Sequence, residues 1–325
     1  MPTTVPPPSA TAPHRISVII PAHNEAAFIG RVASTVLAQR PTGADLEVIV
    51  VDDGSTDATA AVARAAGAQV LALAGAAGNP AAARNRGAAA ATGEILIFLD
   101  ADCLPAPGWL AALVAAHERG ASAVGGALDL PAGLSASARC DYYCGWYHMH
   151  SRRPAGPVSN HPPGNFSIRR DLFASTSGFV ERHPIAYAHE ELAMQAELRR
   201  AGATIQFEPA AIVWHRNRPG WGNLLRRNYR WGYSALESKA ETGLARGSWV
   251  YRHPRLLLLA SIPLVPVQAG YILGCWFRAG IWEALAFAPV VLAARMAYTA
   301  GLVVGGLRWL RRRGSPAPAY RPRWE

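Results

Sequence analysis

Four runs rich in Val, Ile and Leu constrain this chain more than any other feature: RISVIIPAHNE, LEVIVVDDGS, QVLALAG and EILIFLDADC, all within residues 15–103. Between them lie AAFIGRVASTVLAQ and DATAAVARAAGA, whose apolar positions recur at helical spacing, and the Ala-rich NPAAARNRGAAAATG. Continuous apolar strands separated by helices specify a mostly parallel sheet with both faces covered, so the expected fold class is α/β. Such sheets bind ligands at the carboxyl ends of their strands. Three of the runs end in polar clusters: His23-Asn24-Glu25, Asp52-Asp53-Gly54-Ser55 and Asp100-Ala101-Asp102. A site is expected along that edge.

Beyond residue 120 the pattern loosens. AVGGALDL, GNFSIRRDLF and TIQFEPAAIVWH suit strands, and EELAMQAELRRAG suits a helix stopped by Gly202. NLLRRNYRWGYSALESKA is a basic, aromatic helix. Two apolar stretches follow, at about 256–277 and 281–307. The first has 22 residues without a formal charge, about 33 Å as a helix and enough to cross a bilayer core. The second contains Glu283 and Arg295. Arg252 and Arg255 precede the pair and Arg308, Arg311, Arg312 and Arg313 follow it. Basic outer flanks predict a transmembrane hairpin with both flanks in the cytoplasm, in a multi-pass protein of the cytoplasmic membrane. Pro263, Pro266 and Arg295 work against straight spans, and a buried core helix or an in-plane segment is the competing reading. Domains are expected over 15–240 (split near 120) and 241–325, after a disordered Pro/Ala/Ser-rich tail at 1–14 that lacks the apolar core of a signal peptide.

Charge supports a membrane partner. Residues 1–198 carry 13 Arg against 17 Asp and Glu, whereas 199–325 carry 18 Arg and Lys239 against 5 Glu. A basic C-terminal third attracts anionic surfaces. Its Arg residues largely flank apolar spans, which favours lipid over nucleic acid, and no nucleic-acid partner is expected. Cys103, Cys140, Cys144 and Cys275 make no zinc pattern and are read as reduced thiols.

Asp100 and Asp102, one residue apart at a strand end, suit a divalent cation, Mg²⁺ or Mn²⁺, shared with the phosphates of a nucleotide diphosphate. Asp53 at a neighbouring strand end could accept a hydrogen bond from the base or ribose. Arg84 could meet a phosphate or the base. Neither G-x-x-x-x-G-K-[ST] nor G-x-G-x-x-G after the first strand is present, which excludes the two common phosphate-loop classes.

P-A-H-N-E, V-V-D-D-G-S-T-D, A-A-R-N-R-G and L-D-A-D, in this order, resemble family 2 glycosyltransferases of the GT-A fold. The resemblance covers about residues 15–232 and implies an enzyme that moves a sugar from a nucleotide-sugar donor to an acceptor with inversion. By that resemblance Pro21, Glu25, Asp53, Arg84 and Asp100 bind the nucleotide, and Asp100 and Asp102 hold the metal and diphosphate. His215, in IVWHRNR, stands where related enzymes often have a histidine near the metal; a structural role is the alternative. The family's catalytic base lies in an E-D pair opening a helix that ends R-R-A-G. Here the pair falls on Glu190-Glu191, so Glu191 stands where Asp is usual and His189 where Gly is common. Read without the resemblance, the same two acids complement a helix dipole.

Asn165, Glu190 and Trp231 are expected near the donor sugar or acceptor. DYYCGWYHMHSRRP (141–154) is expected to line the acceptor side, with core packing as the alternative. RRNYRW places Arg227 where processive synthases have Gln, so single-sugar transfer to a lipid or lipid-linked saccharide is expected rather than polymerisation. Transfer to polyprenyl phosphate, a nucleotidyltransferase and a non-catalytic scaffold that has lost its base remain as alternatives.

Overall fold

The computed structural model describes residues 15–73, 78–181, 189–242 and 253–312. The expected tail at 1–14 and Arg252 and Arg313 of the basic flanks lie outside them. Two compact units divide the described chain. The first holds residues up to Asp129 together with Pro154–His215, and the second holds Leu130–Arg153 and the chain from Arg216 onward. The boundary expected near 240 is therefore displaced. The aromatic segment and the basic helix group by contact with the C-terminal helices.

The first unit contains nine strands. They are β1 (Arg15–Ala22), β2 (Asp45–Asp52), β3 (Gln69–Ala72), β4 (Ile95–Leu99), β5 (Cys103–Pro105), β6 (Ala123–Asp129), β7 (Gly156–Val158), β8 (Asn165–Arg169) and β9 (Ile205–His215). Its helices are α1 (Ile29–Leu37), α2 (Thr59–Ala65), α3 (Pro80–Ala90), α4 (Trp109–Glu118), α6 (Arg170–Ala174) and α7 (Leu192–Arg200). The strand order is β3-β2-β1-β4-β8-β6-β9-β5, with β7 also on β9. The expected parallel sheet is the stretch β3-β2-β1-β4. Beyond it β8 runs antiparallel between β4 and β6, so the whole sheet is mixed. Ile19, Ile49, Val51, Leu96, Phe98, Phe166 and Ile168 form a continuous core with Phe173, Phe179, Met194 and Leu198. Helix α3 lies close on the sheet because Gly87 has no Cβ: one added there would collide with Ile19. This seats the Arg84 turn directly against the strands.

One irregularity matters for the site. Along β6 and β9 the partner of Gly126 is Glu208 but that of Ala127 is Ile212, so Pro209–Ala211 form a bulge. Asn165 fills the gap. Its amide donates to the carbonyls of Ala127 (2.9 Å) and Ala211 (2.8 Å) and accepts from Trp109 Nε1 (2.8 Å). Gly126 admits that side chain, since a Cβ there would strike both Asn165 and Ala211.

The second unit contains α5 (Ala136–Gly145), α8 (Trp221–Thr242), α9 (Pro254–Ser261), α10 (Val265–Arg278), a 3-10 turn (Trp282–Phe287) and α11 (Ala288–Arg312). Ser135 caps α5 by accepting from Ala138 N, so the aromatic segment begins as a helix. Tyr142 and Tyr143 pack on Trp276 at ring distances of 5.2 and 5.3 Å, in a core with Cys140, Cys144, Ile272 and Val291. For these residues core packing is the role observed. The first apolar stretch is no straight span: α9 and α10 meet at 80°. Pro263 lies in the break and Pro266 in the first turn of α10, and neither offers a backbone N–H to continue a helix. Among the described residues one helical segment, Trp282–Arg312, is long and apolar enough to cross a membrane.

Candidate active site

The loops after β1 and β2 are knitted together. Asn24 N–H donates to Ser55 Oγ (3.0 Å), Thr56 N–H to Asn24 Oδ1 (2.8 Å), Glu25 N–H to Thr59 Oγ1 (2.8 Å) and Ala26 N–H to Asp57 Oδ2 (3.1 Å). Asn24 takes a left-handed conformation (φ 55°), which Asn tolerates better than most residues. Pro21 is buried at the end of β1 opposite Val51, and the carbonyl of Glu25 starts α1. Asp53 is buried; its backbone N–H donates to Ala22 O (2.9 Å) and its carboxylate accepts from Asn79 N–H. Burial pushes the Asp53 carboxyl pKa up, and the Asn79 hydrogen bond opposes it. Most of the motif residues here hold the loop, leaving a small number of polar atoms to face a ligand.

After β4 the chain turns at Asp100-Ala101-Asp102 into β5, which pairs antiparallel with β9 so that Cys103 faces His215. The register brings Asp102 Oδ1 to 3.8 Å from both His215 Nε2 and Cys103 Sγ. One ligand atom from each of Asp102, Cys103 and His215 lies within 4.8 Å of the others. Burial, with the charges of Asp102 and Asp100, holds the Cys103 thiol well above its ordinary pKa. It stays a neutral thiol. A half-buried carboxylate and a buried imidazole this close together fit a hard divalent ion, with the thiol of Cys103 beside them. Sequence reasoning missed Cys103 as a neighbour of this cluster; its place directly after Asp102 was the available signal.

Arg84 is tied to carboxylates within the chain. It is 4% exposed, and its terminal nitrogens donate to Asp100 Oδ1 (2.6 Å) and Glu190 Oε1 (3.0 Å), with Phe179 beneath the guanidinium at 5.6 Å. Burial works against its charge, but the two carboxylates outweigh this and raise its pKa. Two carboxylates already hold the guanidinium where a nucleotide was expected to meet it. Asp100, expected on the metal, is likewise engaged by Arg84, and Asp102 and His215 are the pair brought together.

Glu190 and Glu191 are both buried immediately before α7. His189 has φ 65°, the left-handed region that a glycine adopts without strain. Arg84 pairs with Glu190, whereas burial and the adjacent Glu190 charge push the Glu191 carboxyl up to about 8. Asn165, expected beside a sugar, is fully buried with its amide spent on the bulge. Trp231 lies in the second unit, stacked under Arg227 (4.8 Å) and edge-on to Trp146 (5.8 Å).

Residues 17–176 match the model of glycosyl transferase family 2. The chain is 30% identical over 237 residues to the glycosyltransferase AglE of Haloferax volcanii, covering 68% of this chain and 73% of that one. It is 29% identical over 238 residues to the pre-mycofactocin glycosyltransferase of Mycobacterium tuberculosis, spanning 48% of that protein's length. It is similar in structure to glucosyl-3-phosphoglycerate synthase of M. tuberculosis, solved with Mn²⁺, uridine diphosphate and phosphoglyceric acid. That likeness has a TM-score of 0.51 and 25% identity, covering 70% of this chain and 80% of the other. A second structure of that enzyme, with Mg²⁺ and uridine diphosphate, gives a TM-score of 0.50 at 25% identity. With its three strand-end motifs and the A-A-R-N-R-G of α3, its mixed sheet and a relative matched over most of both chains, this protein belongs to the family 2 glycosyltransferases and is an enzyme that transfers sugar from a nucleotide-sugar donor.

Proposed function

We propose that the protein transfers one sugar, with inversion and with Mg²⁺ or Mn²⁺, from a nucleoside diphosphate sugar to a hydroxyl of a lipid or lipid-linked saccharide at the cytoplasmic face of a membrane. The observation that carries this reading is the buried pair Glu190-Glu191, coupled through Arg84 to Asp100 beside the Asp102–His215 cluster. Asp53 accepts hydrogen bonds from the nucleoside. Asp102 and His215 would hold the ion, which would neutralise charge on the donor diphosphate. The apolar helices of the second unit support a lipidic acceptor.

Glu191 is the base. In its ionised form it takes the proton of the acceptor hydroxyl, whose oxygen bonds to the anomeric carbon as the bond from that carbon to the diphosphate oxygen breaks. The nucleoside diphosphate leaves. A carboxyl with a pKa near 8 returns that proton to water less readily than an ordinary one, but it is a stronger base once ionised. Arg84 pairs with Glu190 and holds it in place beside the base. Titration calorimetry of a nucleotide-sugar panel, in detergent with Mn²⁺, tests the donor half. Binding of at least one donor that Asp102→Ala abolishes supports it, and a folded protein that binds none of them refutes it.

A further inference from the structure

The second unit carries most of the exposed large apolar side chains among the described residues. Around the α9–α10 elbow Leu259 (76% exposed), Ile262 (65%) and Val267 (63%) stand in solvent, with Leu256 and Leu264 beside them. On α11 Leu292, Met296, Val304 and Leu307 form one exposed stripe at a spacing of three to eight residues. Exposed Arg255, Arg278, Arg308, Arg311 and Arg312 sit at the helix ends. Exposed apolar side chains on the elbow and on α11, with cations at the helix ends, fit one partner, a bilayer with anionic headgroups.

How the unit meets the bilayer is decided by α8. A Cβ on Gly301 would strike Tyr229 O, and one on Gly305 would strike Tyr233 O. The step of four on each helix, in the same direction, makes α8 and α11 parallel neighbours in backbone contact, and Gly232 meets Tyr298 O in the same way. Asn228 accepts from Arg295, and Lys239 Nζ lies 3.5 Å from the Tyr298 hydroxyl. Whatever depth the middle of α11 reaches, α8 reaches too. That helix bears Arg226, Arg227, Arg230, Glu237 and Lys239, with Arg226 and Arg230 exposed. Crossing would carry this set into hydrocarbon, where each charge is costly. Nor can the elbow cross: α9 and α10 have 8 and 14 residues, about 12 and 21 Å against a core of about 30 Å.

We propose that the second unit is an in-plane anchor seated in one leaflet, with the α9–α10 elbow as its deepest point, and that none of its described helices crosses the membrane. The proposal rests on the membrane reading above. It contrasts with a hairpin, which would place the turn between α10 and α11 on the far side.

Accessibility to a membrane-impermeant maleimide separates the two. Single cysteines at Trp282→Cys in that turn and at Asp45→Cys on the first unit are introduced in a Cys275→Ser background, the remaining cysteines being buried. Ala279→Cys repeats the reading should Trp282→Cys fail to fold. Expressed in bacterial cells, the protein is expected in the membrane fraction, with neither position labelled in spheroplasts and Asp45→Cys labelled in inverted vesicles. Labelling of the turn in spheroplasts while Asp45→Cys stays protected overturns the in-plane anchor and leaves membrane association standing. A protein that stays soluble, and does not float with phosphatidylcholine–phosphatidylglycerol vesicles, overturns both.

Discussion

The edge of the sheet and the helices of the second unit solve opposite problems. At the edge, charge is buried and compensated inside the chain: Arg84 takes two carboxylates, and Asp53 takes the Asn79 amide. In the second unit apolar surface is exposed, and its cover must come from outside the chain. A catalytic site needs groups held at fixed spacing before the substrate arrives, which buried, partnered charge provides. An anchor needs affinity for a phase rather than for one molecule, which a mobile liquid partner provides without fixed partners.

The contrast breaks most visibly at Arg84. Arg84→Met keeps much of the side-chain length but leaves Asp100 and Glu190 without their shared cation. Denaturant unfolding of the solubilised protein is expected to show a loss of about 3–5 kcal/mol, the cost of stripping one partner from a buried ion pair. An unchanged midpoint would mean that the two acids find other partners. Asn165→Ala comes next. It leaves Trp109 Nε1 and the carbonyls of Ala127 and Ala211 unpaired around the bulge, and about 2–3 kcal/mol should be lost, with activity falling only as the fold does.

Much of the edge was legible in the sequence because strand ends are local. Val/Ile runs stop at polar residues, and the sheet brings those stops together whatever else the chain does. Arg84 was legible as an actor but not in its role, since its partner Glu190 is 106 positions away. The bulge at Pro209–Ala211 had one local signal, a proline inside a strand run, but Asn165, which fills it, lies on another strand. The elbow was half visible. Pro263 and Pro266 were in plain sight, but uninterrupted hydropathy sets a length, and the 80° turn is a matter of missing N–H groups. Ser135 signalled the start of α5 as a helix cap.

Two smaller effects sharpen the comparison. Glu191 has its ordinary pKa of 4.5 in the unfolded chain and about 8 in the fold. Between these values the native state binds more protons than the unfolded one, so its contribution to stability is full below about 4.5 and is lost as pH rises through about 8. Turnover moves the other way, because the base must be ionised. The pH dependence of kcat/KM should rise through an apparent pKa near 8, and Glu191→Gln should flatten both trends. The smallest effect on folding is expected at the elbow. Leu259→Asp should leave the unfolding midpoint within about 0.5 kcal/mol, as surface changes do. It should nonetheless weaken co-flotation with anionic vesicles, and unchanged flotation would remove Leu259 from the anchoring surface.

The most direct test of the central claim separates donor binding from transfer. Donor affinity by calorimetry and donor turnover by release of nucleoside diphosphate would be measured with Mn²⁺ on the same preparations of wild type and Glu191→Gln. If Glu191 is the base, Glu191→Gln binds donor within about twofold of wild type, while turnover drops by a factor on the order of 10²–10⁴. Turnover that survives in Glu191→Gln at the wild-type rate would contradict the account and move the base elsewhere.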